Sequence, residues 1–203
     1  MLKTKESYMR IICCRFGTKF TDWHVNNLKH MIDNYSGLSY DSFEVIENDI
    51  YGNWYNKLQM YDKFRDGENL YFDLDVIIYN KLPNLIRKEF TLLDDSWWRE
   101  PAHTPLNSSI VSWTGDKSWI WDKFKSNDTE YLKVYNKGSD EFYYKQIVYE
   151  TYDKVCPSIK NYMYEMPPKE FSICTLGQMN HIMEEGWTGW WDNYFLPRQS
   201  IAA

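Results

Sequence analysis

The chain has 203 residues, and 43% of them are hydrophobic, which suits one folded domain with a real core and excludes a disordered protein. Its net charge is -6 and no basic cluster stands out in the sequence, so we expect no nucleic-acid partner. No apolar run approaches the roughly 20 residues of a membrane helix, and residues 1–7 lack the apolar core of a signal peptide, so we expect a cytoplasmic protein without a transmembrane segment.

The first fifty residues predict a strand, a helix and a second strand, which is how an α/β fold begins. The apolar, β-branched run 8–16 predicts a buried strand. Thr21 or Asp22 can cap a helix whose apolar residues recur at helical spacing as far as Ile32. Residues 42–47 predict the second strand.

The clearest strand signal comes next. Residues 53–64 carry aromatic and aliphatic side chains at helical spacing and predict a helix. Residues 70–79, LYFDLDVIIY, are almost continuously apolar, which is typical of a central strand covered on both faces. A helix near residues 82–88 and a strand near residues 90–93 are predicted to follow.

The second half predicts shorter elements and a tail rich in loops. They are an irregular loop at 97–107, a strand at 109–113, helices near 119–125 and 141–149, and short strands near Tyr162 and Phe171.

The whole pattern predicts an α/β fold with a mixed, mostly parallel sheet flanked by helices. No repeat or linker interrupts the chain, so residues 1–203 are interpreted as a single domain. Residues 1–7 form its polar N-terminal extension and residues 181–203 its tryptophan-rich C-terminal segment.

The cysteines and aromatic residues say less about the class of protein than the strand and helix pattern does. The 4 cysteines include no CxxC pair, which predicts buried free thiols rather than a zinc site or a disulfide framework. Aromatic residues make up 18% of the chain. Such rings stack on bases and on sugars, but they also fill cores, and composition leaves both interpretations open.

Asp73 and Asp75 are the residues that most clearly predict chemistry. On an ideal strand, residues two apart point to one face, and two like charges there are costly unless a cation compensates them. Mg²⁺ or Mn²⁺ prefers carboxylate oxygens together with phosphates and water. The alternative is a strand that ends at Phe72 with both aspartates in a solvated turn, but the apolar residues 76–79 argue against a plain turn.

Several blocks resemble GT-A fold glycosyltransferases, in particular bacterial and phage enzymes allied to the retaining galactosyl- and glucosyltransferases. WYNKL at 54–58 and LYFDLDVII at 70–78 resemble that family's Trp-x-x-Lys-Leu helix and Leu-Tyr-Leu-Asp-Leu-Asp strand. Three more blocks follow in the family's order, so that the resemblance spans about residues 9–187. They are NSSIV at 107–111, SDEF at 139–142 and HIMEEGW at 181–187.

The resemblance implies a GT-A-like, Rossmann-like domain that transfers a sugar, with retention of configuration, from a nucleotide-sugar such as a UDP-hexose. The acceptor, whether glycan, lipid or protein, stays open. Mn²⁺ or Mg²⁺ would be held by Asp73 and Asp75, and the metal would act as a Lewis acid on the leaving diphosphate. The donor would lie against Cys14, Arg15, Phe16, Gly17, Thr18, Lys57, Asp73, Leu74 and Asp75.

The same resemblance assigns the sugar and acceptor side of the site. Asp140 and Lys57 would be its catalytic groups, although Lys57 read alone is equally a solvated helix lysine, and Asp140 equally a helix N-cap. The sugar or acceptor pocket would be lined by Asn107, Ser108, Asp140 and Trp187.

One departure from the family concerns the metal. Relatives carry a histidine before a late glycine, where this chain has Leu176 before Gly177. His181, or water, would then supply the third ligand. His103, between two prolines, is interpreted as part of a plain surface loop, with an acceptor-side loop as the alternative.

Two other functions remain open at this point. A nucleotidyltransferase on a similar sheet also needs paired carboxylates and a metal, but it releases pyrophosphate. A non-catalytic sugar-binding protein would use the aromatic rings, and its glycan binding would survive EDTA.

Overall fold

A computed structural model describes residues 8–94, 104–152, 159–161, 170–175 and 189–197. In these ranges the chain forms nine strands and five α-helices. In chain order they are β1 (Met9–Cys14), α1 (Asp22–Met31), β2 (Ser42–Ile46), α2 (Gln59–Lys63), β3 (Glu68–Phe72), β4 (Val76–Ile78), β5 (Thr91–Asp94), β6 (Leu106–Thr114), α3 (Ser118–Lys125), α4 (Asp128–Val134), α5 (Ser139–Gln146), β7 (Glu150–Thr151), β8 (Ile159–Asn161) and β9 (Ile173–Thr175).

Contacts group the chain into two compact units. Segments of the two units alternate along the chain, so the units are not consecutive in sequence. The first unit comprises Met1–Gly17, Ser39–Asp73 and Asn84–Cys156; the second comprises Thr18–Leu38, Leu74–Pro83 and Pro157–Ala203.

The first unit is built on a six-stranded sheet in the order β2-β1-β3-β6-β5-β7. Strand β1 runs parallel to both β2 and β3, and β5 runs parallel to β7, whereas β6 is antiparallel to β3 and β5. The predicted α/β class, with a mixed, mostly parallel sheet and helices around it, is therefore confirmed. Strands β1 and β3 are mostly buried and lie between other strands of the sheet, which is where a strand covered on both faces is expected.

The core of the first unit absorbs much of the aromatic content. Trp113 is fully buried among other rings, and the hydroxyl oxygens of Tyr61 and Tyr143 lie 3.0 Å apart in this core. A hydrogen bond between them satisfies groups that would be costly to bury alone. Most described aromatic residues of this unit are therefore core residues.

The second unit contains α1 and a three-stranded sheet in the order β4-β9-β8. Of the two predicted caps, Thr21 is the N-cap of α1, and its backbone N–H donates to Nδ1 of His24 at 3.0 Å. A π-helical turn, Ile32–Ser36, extends the helix. A short 3₁₀ helix, Trp190–Tyr194, follows β9 in the described ranges.

The predicted continuous strand at 70–79 is wrong. Strand β3 ends at Phe72 and β4 starts at Val76, with a turn at Leu74 and Asp75 between them. The two strands belong to different sheets: β3 pairs with β1 and β6, and β4 pairs with β9. Each half is buried by different neighbours, which is why the apolar run looks uninterrupted in the sequence.

The predicted helix near 82–88 is also wrong, because residues 81–87 form no regular element. Pro83 disfavours helical backbone at Leu82, and the Leu82 N–H donates instead to the Ser36 carbonyl at 2.8 Å. The side chain of Asn84 accepts from the Ile86 N–H at 2.9 Å, a local bond that competes with a helix.

Other boundaries shift. The predicted helix at 53–64 is a 3₁₀ helix, Trp54–Leu58, followed directly by α2, and the predicted helix at 141–149 is α5, which ends at Gln146. The strand at 109–113 is the longer β6, which starts inside the predicted loop. Helix α4 was not predicted. No helix in the described part of the chain is both long and apolar enough to cross a membrane.

Candidate functional site

The site lies in the first unit, where β1 and β3 end. After β1 the chain adds β2 on one side, and it later returns to place β3 on the other side. Ligands of open α/β sheets bind beyond the carboxyl ends of strands at such a switch point. Because β6 is antiparallel to β3, its first residues lie at the same edge, and the Asp73 N–H donates to the Ser109 carbonyl at 2.8 Å.

Lys57 is the buried cation of the site, with a relative exposure of only 4%. Its Nζ lies 2.9 Å from Oδ1 of Asp73, 3.0 Å from Oγ of Ser108 and 3.3 Å from the Ser108 carbonyl oxygen. It also lies 5.0 Å from the centroid of the Tyr71 ring. The interpretation of Lys57 as a solvated helix lysine is therefore wrong.

The 3₁₀ helix that carries Lys57 is locally well anchored. Asn53 is its N-cap and accepts from the Tyr55 N–H at 3.0 Å. The fully buried Asn56 side chain accepts from the Ile50 and Tyr51 N–H groups and donates to Asp49 at 2.7 Å. These bonds join the helix to the loop before it.

Asp73 is held through one oxygen. Its Oδ1 accepts from Lys57 and from the hydroxyl of Tyr71. Oδ2 receives no hydrogen bond from any residue that the structure describes, and the side chain is 27% exposed. The side chain thus has a fixed conformation and an oxygen left for a ligand.

Asp140 joins the same network through Ser108. One carboxylate oxygen accepts from the Ser108 N–H at 3.1 Å and from the Ser108 hydroxyl. The N-cap of α5 is Gly138, so the interpretation of Asp140 as that helix's N-cap is wrong. Asp140 lies in the first helical turn, where the helix dipole favours a negative charge.

The charges in this network shift one another's pKa values. Burial, the largest effect, lowers the pKa of Lys57, but the carboxylates of Asp73 and Asp140 outweigh it and raise the pKa overall. Asp140 keeps partial solvent access, yet burial still raises its pKa, while Lys57 and Ser108 oppose the rise. Burial, reinforced by Asp73, holds the pKa of Tyr71 well above its usual value, so its hydroxyl stays a donor.

The residues at the end of β1, predicted to bind the donor, make contacts of their own outside the network around Lys57. Cys14 is buried, and burial raises its pKa to about 12, so it is no thiolate at neutral pH. Arg15 pairs with Glu47, and Phe16 packs partly buried against the core. Gly17, at φ +62°, ends this segment in an exposed turn.

The remaining predicted residues divide into three groups. Asn107 is buried and its side chain accepts from the Ser109 N–H at 2.8 Å, which shapes the start of β6. In the second unit, Thr18 is exposed, Leu74 is buried and Asp75 is half-buried. Four predicted residues and positions lie outside the described residues: His103, the Leu176–Gly177 pair, His181 and Trp187.

Tyr71 is a site residue that we did not predict. In an extended chain residues two apart point to one face, and Tyr71 lies two residues before Asp73, which directly follows β3; this spacing was the available signal.

The residues present suit a hard divalent cation. Asp73 offers a fixed carboxylate with an oxygen not otherwise engaged, and carboxylate oxygens are the ligands that Mg²⁺ and Mn²⁺ prefer. Among the described residues no group of three or more histidine, cysteine, aspartate or glutamate side chains is arranged to hold a metal.

No protein-family model and no curated protein sequence matches this chain. Solved structures do match. The glycosyltransferase GlyE of Streptococcus pneumoniae matches with a TM-score of 0.61 and 11% identity, over 93% of this chain and 60% of that one. This chain therefore spans less than two thirds of GlyE.

Two further structures match over nearly their whole lengths. A glycosyltransferase involved in the glycosylation of the major capsid of PBCV-1 has a TM-score of 0.58 and 12% identity, over 87% of this chain and 98% of that one. An active-site mutant of LgtC has a TM-score of 0.61 and 11% identity, over 92% and 94% of the two chains. At these identities the likeness establishes a fold that glycosyltransferases use.

Proposed function

We propose that the chain is a metal-dependent glycosyltransferase that moves a sugar from a nucleotide-sugar, such as a UDP-hexose, to an acceptor. The network of Lys57, Asp73, Ser108 and Asp140 carries this proposal. It joins one cation and two carboxylates beyond the ends of the central strands, in a fold that glycosyltransferases use.

Donor binding is assigned to the Asp73 side of the network. Asp73 and Asp75 would hold Mn²⁺ or Mg²⁺, which when bound supplies Lewis-acid stabilisation of the leaving diphosphate. Lys57 keeps Asp73 in one conformation and adds positive charge near the phosphates. Arg15 and Phe16, at the end of β1, are the proposed contacts to phosphate and base.

The transferred sugar is assigned to the Asp140 side. In the reaction the acceptor oxygen forms a bond to the anomeric carbon, and the bond from that carbon to the phosphate oxygen breaks. The diphosphate leaves with the electron pair, and its oxygen takes up, directly or through water, the proton that the acceptor hydroxyl releases. Asp140, fixed by Ser108, would orient the sugar and stabilise the positive charge that develops on it.

A thermal-shift screen of UDP, GDP, ADP and UDP-hexoses with Mn²⁺ or with EDTA tests the donor site. A nucleotide at a hundred times its Kd stabilises the fold by about 2.7 kcal/mol, which for a chain of this size raises the Tm by roughly 5 to 10 °C. We expect such a rise for a nucleoside diphosphate with Mn²⁺ and none with EDTA.

Three variants test whether the metal-dependent rise in Tm comes from the proposed metal site. Asp73→Asn and Asp75→Asn should abolish the metal-dependent rise, whereas Asp122→Asn, a change of the same chemistry on the exposed face of α3, should keep it. No metal-dependent rise in the wild type, or an equal rise in Asp73→Asn, contradicts the proposal.

Products separate the proposed transferase from the two other functions. A glycosyltransferase releases a nucleoside diphosphate from UDP-hexose, and a nucleotidyltransferase releases pyrophosphate. Glycan binding that persists in EDTA and in Asp73→Asn, without release of either product, identifies a sugar-binding protein.

A further inference from the structure

Trp54 is the most exposed tryptophan in the described part of the chain, with a relative exposure of 60%. Its indole nevertheless rests on the backbone of Gly138. A Cβ added at Gly138 would lie 3.1 Å from Cε3 of Trp54 and 3.6 Å from its Cβ, so a larger residue would push the ring away. Gly138 also has φ +71°, which favours glycine on its own account.

Two independent observations relate the ring to the site. Trp54 is the first residue of the 3₁₀ helix that carries Lys57, which follows one turn later. Gly138 is the N-cap of α5, two residues before Asp140. The exposed indole therefore packs against the N-terminal end of α5, the helix that carries Asp140.

Single exposed apolar residues are common on proteins and usually need no explanation. Trp119 on α3, with a relative exposure of 42%, is one of these. Trp54 differs because its ring packs against Gly138, and because Gly138 precedes Asp140 by only two residues. A fixed aromatic ring loses little conformational entropy when a ligand covers it.

We propose that Trp54 is a stacking platform for a pyranose ring of a saccharide acceptor, bound next to Asp140. One face of a pyranose carries C–H groups, and the electron-rich face of an indole is complementary to them. The inference rests on the proposed function and adds to it that the acceptor is a carbohydrate. The donor nucleotide is assigned to the end of β1, so its base does not need this ring.

Saturation-transfer NMR on the full chain tests the platform, with methyl glucoside, methyl galactoside, lactose and cellobiose as probes in the presence of UDP and Mn²⁺. We expect at least one probe to receive saturation from the wild type. The transfer should fall at least fivefold in Trp54→Ala and should keep at least half its strength in Trp54→Phe. Trp119→Ala, the matched control, should behave as the wild type.

The thermal shift with UDP and Mn²⁺, measured on the same variants, separates this inference from the proposed function. We expect Trp54→Ala to keep that shift, because the ring contacts the acceptor. If Trp54→Ala loses it, the ring serves the donor and the acceptor assignment is overturned. The assignment is equally overturned if no probe receives saturation, or if Trp54→Ala and Trp119→Ala bind sugars alike. If the wild type shows no shift but binds a probe through Trp54, the proposed function fails while the saccharide platform remains.

Discussion

At the residue scale, Lys57 is the buried cation that lies between two carboxylates, those of Asp73 and Asp140. The Lys57 ammonium donates a hydrogen bond to Asp73, and the charges of Asp73 and Asp140 both raise the pKa of Lys57. A buried ion costs several kcal/mol unless its partners compensate. The lysine therefore holds the site together before any ligand is bound.

Replacing Lys57 by methionine should lower the free energy of unfolding by about 2 to 3 kcal/mol, since it leaves a carboxylate pair without its counter-charge. Breaking a fully buried pair costs about 3 to 5 kcal/mol, and the partial exposure of Asp73 reduces this. Urea unfolding at pH 7 measures the difference. Lys123→Met, an exposed position on α3, is the control, and an equal loss in both variants would contradict the argument.

The difference in stability between the wild type and Lys57→Met should depend on pH in a defined way. The raised pKa of Lys57 means that its stabilisation is complete below the ordinary lysine value of 10.5 and is lost only as the pH rises through the higher folded value. The wild type should therefore keep its advantage over Lys57→Met from neutral pH up to about 10. A loss of that advantage between pH 7 and 9 in urea titrations would count against the charge pairing.

Ionised Asp140 lowers the stability of the fold, whereas charged Lys57 raises it. Its raised pKa means that ionisation costs stability once the pH exceeds the ordinary value of 3.8, and that this cost is absent below it. Asp140→Asn, which can still accept from Ser108, should therefore gain up to about 1 kcal/mol at pH 7. The gain should vanish towards pH 3.8, and thermal unfolding at both pH values measures it.

Sugar transfer should respond differently from stability in the same variant. We expect Asp140→Asn to lower the rate at least 100-fold, on the order of the loss when one electrostatic partner of a transition state is removed. A stable variant with full activity would remove Asp140 from the proposed chemistry.

At the element scale, the 3₁₀ helix owes its position to Asn56. This side chain is fully buried and bonds two backbone N–H groups of the preceding loop. Asn56→Ala leaves these groups without partners, and a buried unsatisfied group costs about 1 to 3 kcal/mol. We expect a loss near 3 kcal/mol in urea unfolding, against about 1 kcal/mol for the N-cap variant Asn53→Ala.

Gly67 lies directly before β3 and packs closely against the residue before β1. Gly67 has φ +70°, and a Cβ there would lie 2.4 Å from the Tyr8 carbonyl oxygen at the start of β1. Gly52 has a similar φ of +66° but open space around it. Gly52→Ala should cost about 1 to 2 kcal/mol for the left-handed backbone alone, and Gly67→Ala should cost clearly more. Equal losses would show that the contact between β1 and β3 relaxes easily.

At the scale of the whole molecule, charge limits the choice of partners. The net charge of -6 disfavours binding to the phosphate backbone of a nucleic acid, whereas binding of a diphosphate needs only a local cation and a metal. We expect no binding of duplex DNA or RNA at micromolar protein and physiological salt, measured by fluorescence anisotropy. Binding that weakens steeply with salt would reveal a basic surface that the sequence does not suggest.

Local patterns in the sequence predicted much of the framework. An apolar run located β1, helical spacing located α1, and β2, β6 and α3 were also predicted near their observed positions; Thr21 was one of two predicted N-caps of α1. These features depend on neighbours within a few residues, which a sequence displays directly. The break between β3 and β4 was missed because burial makes both halves apolar, whichever sheet buries them.

What the sequence by itself determined is the kind of fold and the identity of the charged residues, Lys57, Asp73 and Asp140. Only the tertiary structure decided that Lys57 is buried, that Ser108 links it to Asp140, and that Gly138 seats the ring of Trp54. The physical reason is distance along the chain. Each of these contacts joins residues more than fifty positions apart or on different elements, and only the pairing of β3 with β6 and the packing of α5 bring them together.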